Sequence, residues 1–331
     1  MKKILITGAD GFIGSHLTEL LVKKGYNVKV MIYYNSFNSY GWLDTVDPKI
    51  KKEIEFCPGD VRNFDSVFSI MKNCDRVIHL AALIGIPYSY VSPENYLSTN
   101  ILGTLNILNA AKNLNFQKII LTSTSEVYGS AQFVPITEKH PINAQSPYAA
   151  TKVAADSLGM SFHKSFGMPV SILRPFNTFG PRQSARAIIP TIITQILSKK
   201  KIIKVGSLSP TRDFTYVEDT AAAFERCLKE KKSIGKIINA GSGYEISINN
   251  LIQTICNLMN YRLSIKVDKS RMRPKDSEVD RLLANSDLAK KLLKWDTKYK
   301  KQKNLNYGLK KTIDWFEINY NKYYKPDIYN I

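Results

Sequence analysis

The chain has 331 residues, 44% of them hydrophobic and 23% charged, which suits one large α/β domain with a smaller lobe and removes any need for disulfide staples. No run of eighteen apolar residues occurs, so no membrane-spanning helix is expected and the cytoplasm is the expected compartment. The formal net charge is +19, but its lysines are scattered over expected helix ends and turns without a nucleic-acid-binding signature, so neither nucleic acid nor a membrane is expected as a partner.

Residues 2–7 form a short apolar run that ends in glycines and predicts a strand. Residues 12–24 carry Ile13, Leu17, Leu20 and Leu21 at helical spacing, and 27–32 predict a second strand. Further strands are expected at 53–57, 76–80, 118–121 and 170–173, with long helices at 93–113 and 146–166. Apolar strands alternating with helices imply a parallel sheet covered on both faces. With right-handed crossovers this is a Rossmann-type doubly wound α/β fold. Past Arg174 the pattern loosens: helices at 188–197 and 217–229, strands at 201–205 and 236–240, the last returning to the main sheet. Ile313, Phe316 and Tyr320 mark the apolar stripe of a final helix, and the residues after Pro326 are expected to fray. The division expected is a dinucleotide-binding domain over 1–180, rejoined by 214–241, and a substrate lobe over 181–213 and 242–331.

Gly8, Gly11 and Gly14 follow the first strand and open the first helix. Such a turn needs one glycine to bend sharply, one to let backbone approach a pyrophosphate, and one to pack helix on strand. In that setting the spacing points to a dinucleotide rather than a mononucleotide P-loop. Tyr148 and Lys152 stand four apart on the helix expected at 146–166, hence on one face. An ammonium beside a phenol favours the tyrosinate, so Tyr148 is a candidate base. Thr124, Ser125 and Glu126 follow the fifth strand, at the carboxyl edge where open α/β sheets bind ligands. Four separated cysteines and four histidines show no metal-ligand spacing, and no metal is expected.

With these motifs in this order, nearly the whole chain resembles the extended short-chain dehydrogenase/reductases of the NAD-dependent epimerase/dehydratase family that act on nucleotide sugars. The resemblance implies that Gly8, Gly11, Phe12, Ile13 and Gly14 hold the coenzyme, with Asp60 and Val61 at the adenine and Leu80, Ala81 and Ala82 beneath it. Asn100 matches an asparagine of the following helix, and Thr124 supplies the third active-site hydroxyl beside Tyr148 and Lys152. At the end of the second strand, NAD-preferring relatives carry an acid where this chain has Ile32, and no arginine suited to a 2′-phosphate follows. Tyr33, Asn35 and Ser36 stand there instead, and the choice between NAD and NADP stays open.

The triplet Thr124-Ser125-Glu126 matches the GDP-mannose 4,6-dehydratases, but UDP-glucuronate decarboxylases share it, and a 4-epimerase is a further alternative. For a dehydratase, Tyr148 and Thr124 would take the C4 hydroxyl proton as the coenzyme oxidises C4. Glu126 would then remove the C5 proton, water would leave from C6 with Ser125 assisting, and hydride would return to C6. Asn177, Arg182, Arg212, Arg273 and Glu278 match family motifs that grip a nucleoside diphosphate sugar. Residues 34–44 and 271–283 most resemble the GDP-N-acetylglucosamine 4,6-dehydratases of legionaminic acid pathways. Relatives pair through helices equivalent to 93–113 and 146–166, so a homodimer is expected, with a tetramer as the alternative.

Overall fold

A computed structural model describes residues 3–324, so the expectation for the residues after Pro326 lies outside them. Seven strands form one sheet: β1 (Lys3–Thr7), β2 (Val28–Tyr33), β3 (Ile54–Gly59), β4 (Cys74–His79), β5 (Lys118–Thr122), β6 (Val170–Pro175) and, in chain order after three strands of the lobe, β10 (Ile237–Ala240). Their order is β10-β6-β5-β4-β1-β2-β3, and every pairing is parallel. Strand order reverses between β1 and β4, which opens a crevice at their carboxyl ends.

The inner strands are buried on both faces, which is why they read as apolar runs: Ile4, Leu5 and Ile6 of β1 are all core residues. Helix Phe12–Lys23 lies against helix Val217–Lys229 on one face, burying Leu17, Leu21, Phe224 and Leu228 together. Helix Gly103–Asn113 covers the other face with Ile107 and Leu108.

The lobe is built on a small sheet and a pair of strands. β7 (Asn177–Phe179) pairs parallel with β9 (Thr211–Tyr216), which pairs antiparallel with β11 (Glu245–Ser247). β8 (Ile202–Val205) pairs with β12 (Ser264–Val267). Asn177–Phe179 and Phe214–Tyr216 therefore belong to the lobe's sheet, although the sequence assigns them to the large domain. Helices Ile188–Leu197, Ile248–Leu258 and Lys301–Tyr323 close a second core, in which Ile313 and Phe316 are buried and Tyr320 packs alongside.

The helix expected over 93–113 is interrupted. Pro93–Tyr96 is α-helical, Leu97–Leu102 widens into a π-helix, and Gly103–Asn113 resumes the α-helix. A π segment inserts backbone and re-aims side chains. Here it buries Asn100, which spans Leu83 and Thr151.

Candidate active site

The crevice is a cavity of about 1030 Å³ between the carboxyl edge of the main sheet and the lobe. Gly8, directly after β1, has φ of +66°, and a Cβ there would lie 2.7 Å from the Ala81 nitrogen. Only glycine lets the β1 turn pass so close to the β4 turn. A Cβ on Gly14 would lie 2.1 Å from the Gly8 carbonyl oxygen, so the first helix can start where it does only without a side chain. Gly11 precedes that helix, and its first residues line the cavity, where a helix N-terminus leaves amides without partners in the helix. Beneath them the Thr7 hydroxyl meets His79 Nδ1 at 2.8 Å and accepts from the Ala81 amide at 3.2 Å. Burial, aided by Lys152, lowers the His79 pKa to about 3, so this ring is a neutral spacer.

Tyr148 and Lys152 lie on helix Pro147–Phe166. Its start is set by Ser146, which accepts from the Ala149 amide at 3.1 Å, with Pro147 in the first turn, and Gly167 at φ 65° ends it. The four-residue spacing continues to Asp156, and all three side chains are buried. Asp156 accepts from the Ser123 hydroxyl at 2.7 Å and from Arg174 Nη2 at 2.8 Å, while Arg174 Nη1 donates to Tyr128 at 2.9 Å. This buried network ties helix Pro147–Phe166 to the end of β5 and to β6. Asp156 was missed by sequence reasoning, although its place four residues after Lys152 is the signal that could have found it.

Burial lowers the Lys152 pKa to about 8, with Asp156 opposing. Burial also pushes the Tyr148 phenol well above its ordinary value; a hydrogen bond with Thr124 lowers it, and the charge of Glu126 raises it further. The expectation that Lys152 brings the phenol down is not met by the protein's own groups. Desolvation of the phenolate dominates, and the nearby carboxylate adds to it.

Thr124 caps a short 3₁₀ turn, Ser125–Tyr128, accepting from the Glu126 amide at 3.2 Å. This turn carries Ser125 and Glu126 into the cavity wall. Glu126 Oε2 lies 3.4 Å from Arg273 Nη1, and Arg212 Nη2 lies 3.2 Å from Glu278 Oε1. Glu126 thus meets, across the domain junction, a lobe cluster of Arg212, Arg273 and Glu278. Burial lowers the Arg212 pKa, whereas for Arg273 burial is outweighed by Glu126 and Glu278. Arg212 lies on β9, where alternation sends Asp213 to the opposite face. Burial pushes Asp213 up to about 6, against hydrogen bonds from Ser242, Gly243 and Ala284 that make it a clasp between strand ends.

Thr124, Ser125, Glu126, Tyr148 and Lys152 converge on the cavity, as do Asn177, Arg212, Arg273 and Glu278. Phe12, Ile13, Tyr33, Asp60 and Val61 line its far end, and Leu80, Ala81 and Ala82 its floor. Four expected ligands do not line it. Arg182 turns away to Glu19, 3.1 Å distant, and joins the lobe to the first helix. Asn35 organises its own loop, accepting from the Phe37 and Ser39 amides, and the exposed Ser36 lies in that same turn. Asn100 is consumed by Leu83 and Thr151. No residue of 34–44 lines the cavity either: Trp42 instead packs on Trp315 and Tyr323 of the last helix.

The residues present fit a dinucleotide and a polar second ligand. The Gly8 turn admits no side chain, and the buried Asn177 Oδ1 and Thr122 Oγ1 in the cavity wall lack partners among the described residues.

Comparison with known proteins agrees. The family model described as GDP-mannose 4,6 dehydratase matches residues 5–306. The dTDP-D-glucose 4,6-dehydratase of Dictyostelium discoideum is 35% identical over 278 residues, 78% of this chain and 62% of that protein. The UDP-glucuronate 4-epimerase of Thermodesulfobacterium geofontis is 32% identical, covering 96% of this chain and 97% of its own. The crystal structure of UDP-glucuronic acid 4-epimerase from Bacillus cereus, in complex with UDP-glucuronic acid and NAD, superposes with a TM-score of 0.85 at 30% identity, over 96% of this chain and 99% of that one. The chain therefore belongs to the NAD-dependent epimerase/dehydratase family of short-chain dehydrogenase/reductases, enzymes of nucleotide sugars that use NAD(P).

Proposed function

We propose that this protein is a nucleotide-sugar 4,6-dehydratase that converts GDP- or UDP-N-acetylglucosamine to the 4-keto-6-deoxy sugar. The observation that carries the reading is Glu126, a carboxylate in the cavity wall whose charge is felt by Tyr148 and which is held by Arg273. A 4-epimerase exchanges hydride at C4 and needs no carboxylate base at C5; a dehydratase does. Bound NAD(P) supplies the acceptor and donor of hydride. Tyr148, hydrogen-bonded to Thr124, takes the proton of the C4 hydroxyl in its ionised form, which burial makes the minor one. The ketone so formed acidifies the C5 hydrogen, and Glu126 removes it. Ser125, adjacent on the same turn, orients the departing C6 hydroxyl, Glu126 in its protonated form delivers the proton that leaves with it as water, and return of the hydride to C6 with a proton, equivalent to the one taken by Tyr148, to C5 completes the 4-keto-6-deoxy sugar. Arg212 and Arg273 bind the diphosphate, and Asn177 adds an amide to the same ligand.

The N-acetylglucosamine assignment rests on the resemblance of the segment 271–283, which brings Arg273 and Glu278 to the cavity. Exposed Leu97, Leu102 and Phe166, on the helical segments expected to pair, support a homodimer. A 4-epimerase is the second reading, favoured by the 4-epimerases among the similar proteins.

The test is incubation of the protein with GDP-N-acetylglucosamine, UDP-N-acetylglucosamine and GDP-mannose separately, followed by mass spectrometry. The expected result is loss of one water from an N-acetylglucosamine nucleotide without net reduction of coenzyme. An unchanged mass with an altered sugar proton spectrum would establish the epimerase instead.

A further inference from the structure

The far end of the cavity is where the ends of β1, β2 and β3 meet. Ile32, at the position where NAD-preferring relatives carry an acid, is buried in the core and its side chain offers nothing to a ribose. Tyr33 follows it and is 59% exposed. Its amide donates to Asp10 Oδ2 at 3.2 Å. Asp10 belongs to the glycine turn after β1, yet this bond holds its carboxylate at the end of β2. The position is fixed from the other side as well, because the Trp42 amide donates to the Asp10 carbonyl at 2.9 Å. Asp10 lines the cavity, and burial raises its pKa, with the Tyr33 amide opposing. A partly desolvated carboxylate of this kind gains from hydroxyl donors.

The cation lining this end is Arg62, and it is already committed. Its Nε lies 3.0 and 2.9 Å from the two Asp60 oxygens, its Nη2 donates to Asp60 Oδ2 at 2.6 Å, and the same nitrogen donates to the Tyr33 hydroxyl at 3.2 Å. Asp10, Asp60 and Arg62 together present one net negative charge.

We propose that Asp10 sets the coenzyme choice: its carboxylate takes the hydroxyls of the adenosine ribose in place of the acid missing from the end of β2, and it repels a 2′-phosphate. The coenzyme is then NAD, and Arg62 is held by Asp60 rather than available to NADP. Specificity of this kind comes as much from the repulsion as from the new contact. The inference concerns coenzyme binding alone and holds equally for a dehydratase or an epimerase.

The test reads binding rather than turnover. Nucleotide released from the purified holoprotein by acid is identified by mass spectrometry. Coenzyme-free protein is then titrated calorimetrically with NAD and with NADP, as wild type, Asp10→Asn and Asp60→Asn. Wild type is expected to release NAD and to bind it at least about tenfold more tightly than NADP. Asp10→Asn keeps an acceptor for the Tyr33 amide but loses the charge, and the preference should shrink by about tenfold. Asp60→Asn leaves Asp10 in place and releases Arg62, so NADP should gain relative to NAD. Wild type carrying NADP, or an unchanged preference in Asp10→Asn, overturns the proposal. If Asp10→Asn does not fold, an unchanged preference in Asp60→Asn overturns it in the same way.

Discussion

Replacing Glu126 by glutamine separates the two halves of the proposed reaction. The amide preserves size and an oxygen for Arg273 Nη1, now 3.4 Å from Oε2, so the cavity wall should keep its shape. What is lost is a proton acceptor. General base catalysis contributes about 10²–10⁴-fold, so elimination across C5–C6 should slow by that factor. At 1.36 kcal/mol per decade this is roughly 2.7–5.4 kcal/mol of barrier. Oxidation at C4 should not slow. The Glu126 charge helps to raise the Tyr148 pKa, so removing it makes the phenol easier to ionise. The 4-keto hexose should therefore accumulate with its C6 hydroxyl intact, visible by mass spectrometry after rapid quenching. Exchange of the C5 hydrogen with deuterated solvent should disappear with it. Elimination at the wild-type rate in Glu126→Gln would refute the assignment of Glu126 as the C5 base.

Arg182→Ala should cost stability and leave substrate KM unchanged, because Arg182 pairs with the partly buried Glu19; about 3 kcal/mol by urea denaturation is expected for breaking such a pair. Arg212→Ala should instead raise KM by roughly tenfold or more, the scale of one lost charged hydrogen bond. The buried Lys152 has a folded pKa of about 8, below its ordinary 10.5, so between those values the unfolded chain binds more protons than the folded one. Stability must rise with pH across that window, and the penalty of burying the ammonium is complete below it. Urea denaturation from pH 7 to 10.5 should therefore show wild type gaining on Lys152→Met above about pH 8; a constant difference would exclude the lowered pKa.

Much of this site was legible because its signals are local. Gly8, Gly11 and Gly14 mark a turn whose demands fall within seven residues, and Tyr148 and Lys152 share a helical face through spacing alone. The helices 188–197 and 217–229 were readable for the same reason, since their apolar stripes have a single period. Long-range partners left no such trace. That Arg182 would close on Glu19 rather than on a substrate depends on how the lobe meets the first helix. That Asn100 would be spent on Leu83 and Thr151 depends on a π segment, which has no distinct sequence pattern. Residues 34–44 looked like a marker of the sugar, but they lie behind the glycine turn and pack Trp42 on the last helix.

The sequence by itself determined the alternation of strand and helix, the dinucleotide turn and the candidate catalytic side chains, because each depends on backbone geometry and periodicity over a few residues. Only the tertiary structure decided the electrostatics. Burial rather than Lys152 controls the Tyr148 phenol, Glu126 meets a guanidinium from a segment nearly 150 residues away, and Asp10 arrives at the end of a strand to which it does not belong. Charge and desolvation act through space, and the distances that govern them exist only once the chain has folded.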